Sequence, residues 1–334
     1  MLTTLLSFAM SPDRSVGGHQ IGKFVLFPMG LLAANFVTDA RRVKLSYRAL
    51  LIIAAAASLT ALVQFVLKER RFLATGALED DPMANMRVKG FMSHWMTFSG
   101  GELLVWCAAI PVIVLIGRRW IVPISIVGIG IVFSYTRSAW LGAFSGLAGA
   151  SVWISKKQLV RVIVPIAVVG LLASPFVYHR ISQTATGKLG GDVGRMKLLR
   201  VGVEMVRTHP LFGVGPERIP IEFPKYYKGD DLDTFYIGHM QNDFMQIAAE
   251  RGLLCLAALL WFIVALYRSF FGFVKSENET LRLTAVSAFC ALTGFLVMGL
   301  FEFNLGDSEP LILFLFTISI PFGVDAGLKR KLQG

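Results

Sequence analysis

The stretch IGHMQNDFMQIAAERGLLCLAALLWFIVALY, residues 237–267, begins polar and continues as an apolar run long enough to enter a membrane. Its polar side chains include four that are spaced three, four and four residues apart: His239, Asn242, Gln246 and Glu250. On a helix this spacing places them in one stripe. Because polar groups inside a membrane segment are costly, such a stripe usually faces a bundle interior or a wet cavity. Two simpler interpretations stay open: hydrogen bonds from Asn242 and Gln246 that pack helices together, and a local ion pair between Glu250 and Arg251.

The composition of the whole chain is that of a membrane protein. Of 334 residues, 54% are hydrophobic and 16% are charged, whereas soluble proteins carry about 25% charged residues. The mean hydropathy is +0.61. The net charge of +11 comes from basic clusters between the apolar runs, as expected for membrane-orientation signals rather than for a nucleic-acid-binding surface.

We therefore predict an all-α fold, a polytopic transmembrane helical bundle that forms a single integral membrane domain over residues 1–334. About ten apolar runs support this prediction, of which the first is too short to span a membrane alone. The runs cover residues 2–10, 23–37, 49–67, 96–117, 121–135, 138–154, 159–178, 243–267, 283–303 and 309–326. Basic clusters at residues 41–44, 118–119, 156–157 and 329–331 fall on one side if the runs alternate. By the positive-inside rule that side, with both termini, is cytoplasmic.

Residues 179–238 then form a long loop on the opposite face. Within it, Leu198, Val201, Met205 and Val206 repeat with a helical period, and Pro210 ends the pattern. We predict an amphipathic helix that lies at the outer boundary between membrane and water.

The same threading places four potentially cationic side chains from four segments on the outer face: Arg87, Arg137, Arg195 and His239. Each has a simpler interpretation, as an interfacial arginine, a solvated helix face or a loop histidine. Together they suit a reaction with a phosphate-ester leaving group, because arginine binds phosphate through bidentate charge-assisted bonds and histidine exchanges protons near neutrality. No metal-binding or nucleotide-binding motif occurs, so we predict neither a metal nor another cofactor.

Several motifs resemble those of the O-antigen ligase and O-antigen polymerase superfamily of bacterial envelope glycosyltransferases. HPLFGVGPERI, residues 209–219, and HMQNDFMQIAAERG, residues 239–252, are similar to the family's His-Pro-Leu-x-Gly-x-Gly turn and its His-Asn-x-x-Leu-Gln-x-x-x-Glu-x-Gly motif. Further similar motifs are YTRSAWLG around Arg137, GRMKLLR around Arg195 and RVKGFMSHWMTFSG from Arg87. The chain departs from the family in separating the histidine from the amide, with Gln241 between them. Family members also have helices before the equivalent of Phe24, so we expect the first run to be a truncated remainder.

The resemblance implies a reaction at the periplasmic face of the bacterial inner membrane. Ligases of this family move a glycan from an undecaprenyl-diphosphate carrier to a lipid A–core hydroxyl without a metal. The resemblance implies that Arg137 and Arg195 hold the diphosphate, with Arg87 as a further helper. It implies that His239 orients or deprotonates the acceptor hydroxyl, and that three residues of the stripe support the site: Asn242, Gln246 and Glu250.

The resemblance does not identify the acceptor of the transferred glycan. An O-antigen polymerase or a protein O-oligosaccharyltransferase of the same superfamily performs the same chemistry on another glycan or on a protein. Outside the class, an envelope lipid transporter or flippase is the alternative, and it would call for charges near the middle of the membrane or for broken helices. In each case membrane lipids surround the chain, and no nucleic acid takes part.

Overall fold

A computed structural model of the chain describes residues 1–75, 87–153, 191–229 and 238–333, with the single residues 156, 160 and 164. Within these residues all regular structure is helical, and no strand occurs. The predicted run at 159–178 falls almost entirely outside them, as do parts of the predicted loop at 179–238 and residues 76–86. The prediction of a helical membrane protein is confirmed.

The described residues contain thirteen α-helices. They are α1 Leu2–Ala9, α2 Gly18–Gly22, α3 Pro28–Phe36, α4 Ala40–Thr75, α5 Trp95–Ala109, α6 Ile113–Ile116, α7 Ile121–Phe133, α8 Arg137–Ala150, α9 Gly191–Thr208, α10 Ile219–Tyr226, α11 Asp243–Phe273, α12 Glu279–Gly299 and α13 Ser308–Gln333. Single 3₁₀ turns cover Lys23–Leu26, Arg118–Trp120 and Asn304–Gly306.

Four of the described helices are long and apolar enough to cross a membrane: most of α4 (Ala40–Arg71), α11, α12 and α13. Others that we predicted as crossings are shorter, since α5 has 15 residues, α7 has 13 and α8 has 14. A 15-residue helix is about 22 Å long, less than the ~30 Å of hydrocarbon. The count of about ten crossings therefore stays a prediction.

Residue contacts divide the chain into two compact units. The first unit comprises Met1–Phe27, Gln183–Arg268 and Gly299–Ser308. The second unit comprises Pro28–Ser182, Ser269–Met298 and Glu309–Gly334.

Helix α5 lies at the centre of the second unit, and almost every one of its residues is buried. Its buried Glu102 accepts a hydrogen bond of 3.0 Å from the Ser58 hydroxyl on α4. On its opposite end, Ser287 of α12 donates to the Ala108 carbonyl at 2.6 Å and bonds to the Tyr47 hydroxyl at 2.5 Å. These four buried polar groups are thus hydrogen-bonded across helices, which offsets the cost of placing them in a low-dielectric interior.

In the first unit, the apolar face of α9 packs against protein. Leu198, Val201 and Met205 are buried in a cluster with Ile219 and Phe223 of α10. Three more buried residues from the following segments complete the cluster: Val214, Met240 and Ala249. The helix that we predicted over this stretch is present, but its regular apolar face is covered by the chain itself. Its placement at a membrane boundary stays a prediction.

Helix α11 is broken at Gly252. This residue has φ 83° and ψ 170°, a left-handed φ that no α-helical residue adopts. A Cβ at this position would lie 2.1 Å from the Leu211 carbonyl oxygen. Only glycine both adopts this φ without strain and leaves room for the neighbouring turn.

The turn at residues 210–215 docks onto this break. The Leu253 N–H donates to the Pro210 carbonyl at 2.7 Å, and the Val214 N–H donates to the Ala249 carbonyl at 2.9 Å. A third bond of 2.9 Å runs from the Gly215 N–H to the Glu250 carbonyl. Backbone groups of a membrane-length helix need partners where water is scarce, and this turn supplies them.

We expect Gly252→Ala to lower the free energy of unfolding by about 2 kcal/mol or more, because alanine strains the left-handed backbone and displaces Leu211. The thermal unfolding midpoint of the purified protein in detergent measures the effect. Gly272→Ala on the same helix is the control, because a Cβ there meets nothing within 4 Å. Equal midpoints for the two variants would contradict the role of the break.

Candidate functional site

Two residues at the start of α11 bind the segment that follows α12, residues 300–307: Asp243, the first residue of the helix, and Asn242, which immediately precedes it. The Asn242 Nδ2 donates to the Leu300 carbonyl at 2.7 Å, and the Asp243 Oδ1 accepts from the Leu305 N–H at 3.0 Å. Asp243 is buried, and a Cβ on Gly299 would lie 2.2 Å from its Oδ2. Because glycine is the residue without a Cβ, Gly299 lets the carboxylate of Asp243 reach the segment.

The next two members of the stripe hold other loops of the first unit. The Gln246 Oε1 accepts from the Met240 N–H at 2.8 Å, and the Gln246 Nε2 donates to the Glu250 carboxylate. The Glu250 Oε1 also accepts from the Glu217 N–H at 2.8 Å. The side chains of Gln246 and Glu250 are both buried, so these bonds use polar groups that would otherwise be costly inside the protein.

Both simpler interpretations of the stripe receive partial support. Asn242 and Gln246 do join segments of the protein, although their partners are loop backbone groups rather than other helices. Arg251 lies 3.7 Å from the Glu250 carboxylate through its Nε. Its Nη2 donates to Gln20 at 3.1 Å, which attaches α2 to the broken helix.

His239 lies in the turn just before α11. Its Nδ1 accepts a hydrogen bond of 3.1 Å from the Gln241 N–H. Its ring lies 5.9 Å from the ring of Phe303, measured between centroids. Two residues, Met240 and Gln241, separate the histidine from Asn242, and the second has a left-handed φ of 48°.

Arg195 on α9 forms an ion pair with Glu302. The Arg195 Nη2 lies 3.1 Å from the Glu302 Oε1, and the side chains are 26% and 3% exposed. Glu302 and Phe303 are neighbours on the 300–307 segment. Arg195 and His239 thus contact adjacent residues of one short segment, although they are 44 positions apart in the chain (239 − 195).

The other two predicted cations belong to the second unit. The Arg87 guanidinium lies 4.7 Å from the centroid of the Trp95 ring. Its loop is held by Gln64 of α4, which donates to the Gly90 carbonyl at 2.8 Å and accepts from the Lys89 and Gly90 N–H groups at 3.1 Å each.

Arg137 is the first residue of α8, directly after a strained turn. Tyr135 has φ 53° and packs its ring near those of Phe65 and Phe133. Phe65 and Phe133 also contact the buried cluster that contains Val88, next to Arg87 in the chain. Arg87 and Arg137 are therefore both attached to one apolar cluster. The expectation that all four cations share one pocket stays a prediction.

Among the described residues, the non-glycine positions with positive φ are Tyr135, Glu217 and Gln241. Tyr135 lies two positions before Arg137, and Gln241 lies two positions after His239. The Glu217 N–H donates to the Glu250 carboxylate. Strained backbone of this kind costs of order 1–3 kcal/mol per residue and collects at functional sites. No group of three or more potential metal ligands occurs in the described part of the chain.

Sequence reasoning did not find Asp243 or Glu302. Both are buried carboxylates that touch the predicted site residues or their loops. A signal for Glu302 was present, since it is an acidic residue inside the run predicted at 283–303, and ionisable residues in such runs are functional candidates. Helix α12 ends at Gly299, however, so Glu302 lies in the turn beyond it.

We expect Glu250→Ala to destabilise the protein by ~1–3 kcal/mol, because the Glu217 N–H and the Gln246 amide lose their buried partner. Glu204→Ala is the matched control, since Glu204 is 52% exposed and pairs only with Arg207 on the surface of α9 in the described residues. That change should stay within about 0.5 kcal/mol. Thermal unfolding in detergent compares the two, and equal midpoints would show that Glu250 has no anchoring role.

Comparison with known families bears directly on these residues. Residues 122–260 match the family model described as O-Antigen ligase. The matched range includes Arg137, Arg195, His239 and the rest of the stripe, whereas Arg87 and Glu302 lie outside it. A search of curated proteins found no match. Through residues 122–260, this helical membrane protein is therefore similar to the O-antigen ligase family.

Proposed function

We propose that the chain is a glycosyltransferase that moves a glycan from an undecaprenyl-diphosphate carrier to an acceptor hydroxyl, as an O-antigen ligase does, in lipopolysaccharide or envelope polysaccharide biosynthesis. The observation that carries the proposal is the contact of Arg195 and His239 with one short segment, residues 300–307. A cation for the diphosphate and a proton acceptor for the hydroxyl have to act on one substrate complex. The family match over residues 122–260 supports the same reaction class.

In the proposed reaction the acceptor hydroxyl oxygen attacks the anomeric carbon of the glycan. The bond from that carbon to the diphosphate oxygen breaks, and undecaprenyl diphosphate leaves. His239 takes the proton of the hydroxyl, because imidazole exchanges protons near neutral pH. Arg195, together with Arg137 and Arg87, stabilises the charge that develops on the diphosphate.

The stripe on α11 supports this chemistry indirectly. Asn242 holds the 300–307 segment, and Gln246 holds the backbone next to His239. Glu250 holds the turn between α9 and α10. We assign these residues to positioning, because their hydrogen bonds go to the chain's own backbone.

We further propose that the protein lies in the bacterial inner membrane as a multi-pass protein with both termini in the cytoplasm. The basic clusters between the apolar runs support this orientation. The reaction then takes place at the periplasmic face, where the donor arrives on its lipid carrier.

The broken helix α11 bears on the alternative of a lipid transporter, because transporters bind ions and substrates at broken helices. Here three backbone groups at the break are bonded to the turn at residues 210–215. The break is thus a docking point for the chain itself, and this favours transfer over transport.

We expect Arg195→Ala and His239→Ala each to reduce glycan transfer by about 100-fold, since each removes a charge or proton-transfer group that acts in the transition state. The assay is transfer from a purified undecaprenyl-diphosphate-linked donor by the purified protein, in EDTA because the proposed mechanism uses no metal. Arg207→Ala and His209→Ala are the matched controls. Arg207 is 70% exposed on α9, and His209 bonds to Thr208 and Tyr226 at the surface. Transfer that survives in either test variant would count against the proposal.

The acceptor is tested in a knockout strain complemented with the gene. For a ligase, loss of activity should remove all long lipopolysaccharide bands while lipid-linked polymer persists in the membrane. A single repeat unit retained on the lipopolysaccharide would instead identify a polymerase, and unchanged lipopolysaccharide with a lost glycoprotein band would identify a protein glycosyltransferase. Gel banding of extracted lipopolysaccharide and of membrane proteins distinguishes these outcomes.

A further inference from the structure

Glu302 is a buried carboxylate outside the matched family range, and it faces the guanidinium of Arg195. The side chain of Glu302 is 3% exposed, whereas that of Arg195 is 26% exposed. The pair therefore has a buried acidic end and a more accessible cationic end. Such an arrangement fits a carboxylate that lies on the buried side of the arginine and orients its guanidinium.

The segment that carries Glu302 is held at several points. Asn242 binds the Leu300 carbonyl and Asp243 binds the Leu305 N–H, so both ends are attached to the start of α11. The Lys23 ammonium donates to the Gly306 carbonyl. The position of the Glu302 carboxylate is therefore defined by the surrounding fold, whereas an arginine side chain by itself has many rotamers.

The ion pair with Glu302 constrains the orientation of the guanidinium. A guanidinium has five N–H donors in a planar fork, and the contact with Glu302 is made through Nη2. A carboxylate that binds the fork fixes its plane, and a guanidinium held in one plane is oriented to bind the oxygens of a diphosphate. Preorganisation of this kind lowers the conformational entropy lost when the ligand binds.

We propose that Glu302 is a positioning residue, which orients the Arg195 guanidinium so that it binds the diphosphate of the lipid-linked donor. The proposal rests on the function proposed above for Arg195. Glu302 acts through Arg195 and does not itself touch the substrate. The 300–307 segment then links the arginine to His239, because Phe303 lies beside the imidazole.

A double-mutant cycle on ligand binding tests the proposal. Undecaprenyl diphosphate is titrated against the full-length purified protein and the variants Glu302→Ala, Arg195→Ala and the double variant. We expect Glu302→Ala to weaken binding about tenfold when Arg195 is present and not to weaken it further when Arg195 is absent. The same loss in both backgrounds would indicate a general structural effect and overturn the proposal, as would unchanged binding in Glu302→Ala.

Two conservative variants separate orientation from charge, and they also serve if Glu302→Ala does not fold. Glu302→Gln keeps the length and an oxygen acceptor, so binding should stay within about threefold of the original. Glu302→Asp keeps the charge but retracts the carboxylate by one methylene, so it should weaken binding more than Glu302→Gln does. The reverse order would overturn the proposal. Glu309→Ala is the control, because Glu309 is an exposed acid at the start of α13.

The inference about Glu302 and the proposed function can fail independently, because one is tested by binding and the other by glycan transfer. If the original protein binds undecaprenyl diphosphate, and the cycle shows the expected coupling, the role of Glu302 stands even when no glycan is transferred. In that case the proposed glycosyltransferase function fails alone. If transfer occurs but the cycle shows no coupling, the function stands and the inference about Glu302 is wrong.

Discussion

A left-handed glycine in the first third of a membrane-length helix is the constraint on which the arrangement of the first unit depends. Gly252 is buried and interrupts the hydrogen-bond ladder of α11, so the freed backbone groups need partners within the protein. The turn at residues 210–215 provides them through three backbone hydrogen bonds. Because that turn connects α9 to α10, the break attaches the helix that carries Arg195 to the helix that begins just after His239.

The polar stripe on α11 completes this attachment. Each of its amides and carboxylates binds backbone from a different loop, so one helix holds the 300–307 segment, the turn of His239 and the turn before α10. Loops without regular structure are thereby fixed in place by side chains from a rigid helix, which is how a protein brings catalytic groups from distant positions within reach of each other. The prediction of one helical stripe was wrong for His239 and Asn242, which lie in the turn before α11, whereas Gln246 and Glu250 are on the helix. Asn242, Gln246 and Glu250 supply hydrogen-bond partners to the loops that carry the candidate site residues.

The residues of the candidate site that lie within local motifs could be selected from the sequence. The spacing of His239, Asn242, Gln246 and Glu250 marked the stripe, and the motif around Arg195 marked the helix that carries it. Glu302 was missed because its contact with Arg195 joins positions 107 residues apart, a pairing that no local period reveals. The roles of the stripe residues were also not predictable, because a polar side chain in a sequence does not identify its partner. The packing of the α9 apolar face onto α10 was not predictable either, because periodicity shows that a face is apolar but not whether protein or lipid covers it.

By itself, the sequence determined the helical membrane class, the helical spacing of Gln246 and Glu250, and the end of the amphipathic helix before Pro210. These properties follow from hydrophobic periodicity and from the backbone preferences of glycine and proline, which act over a few residues. Only the tertiary structure decided that Glu302 pairs with Arg195, that Asp243 and Asn242 hold the segment between them, and that the turn at 210–215 fills the break in α11. Such contacts depend on how distant segments pack in three dimensions, and packing is set by the shape and polarity of whole surfaces rather than by any one stretch of the chain.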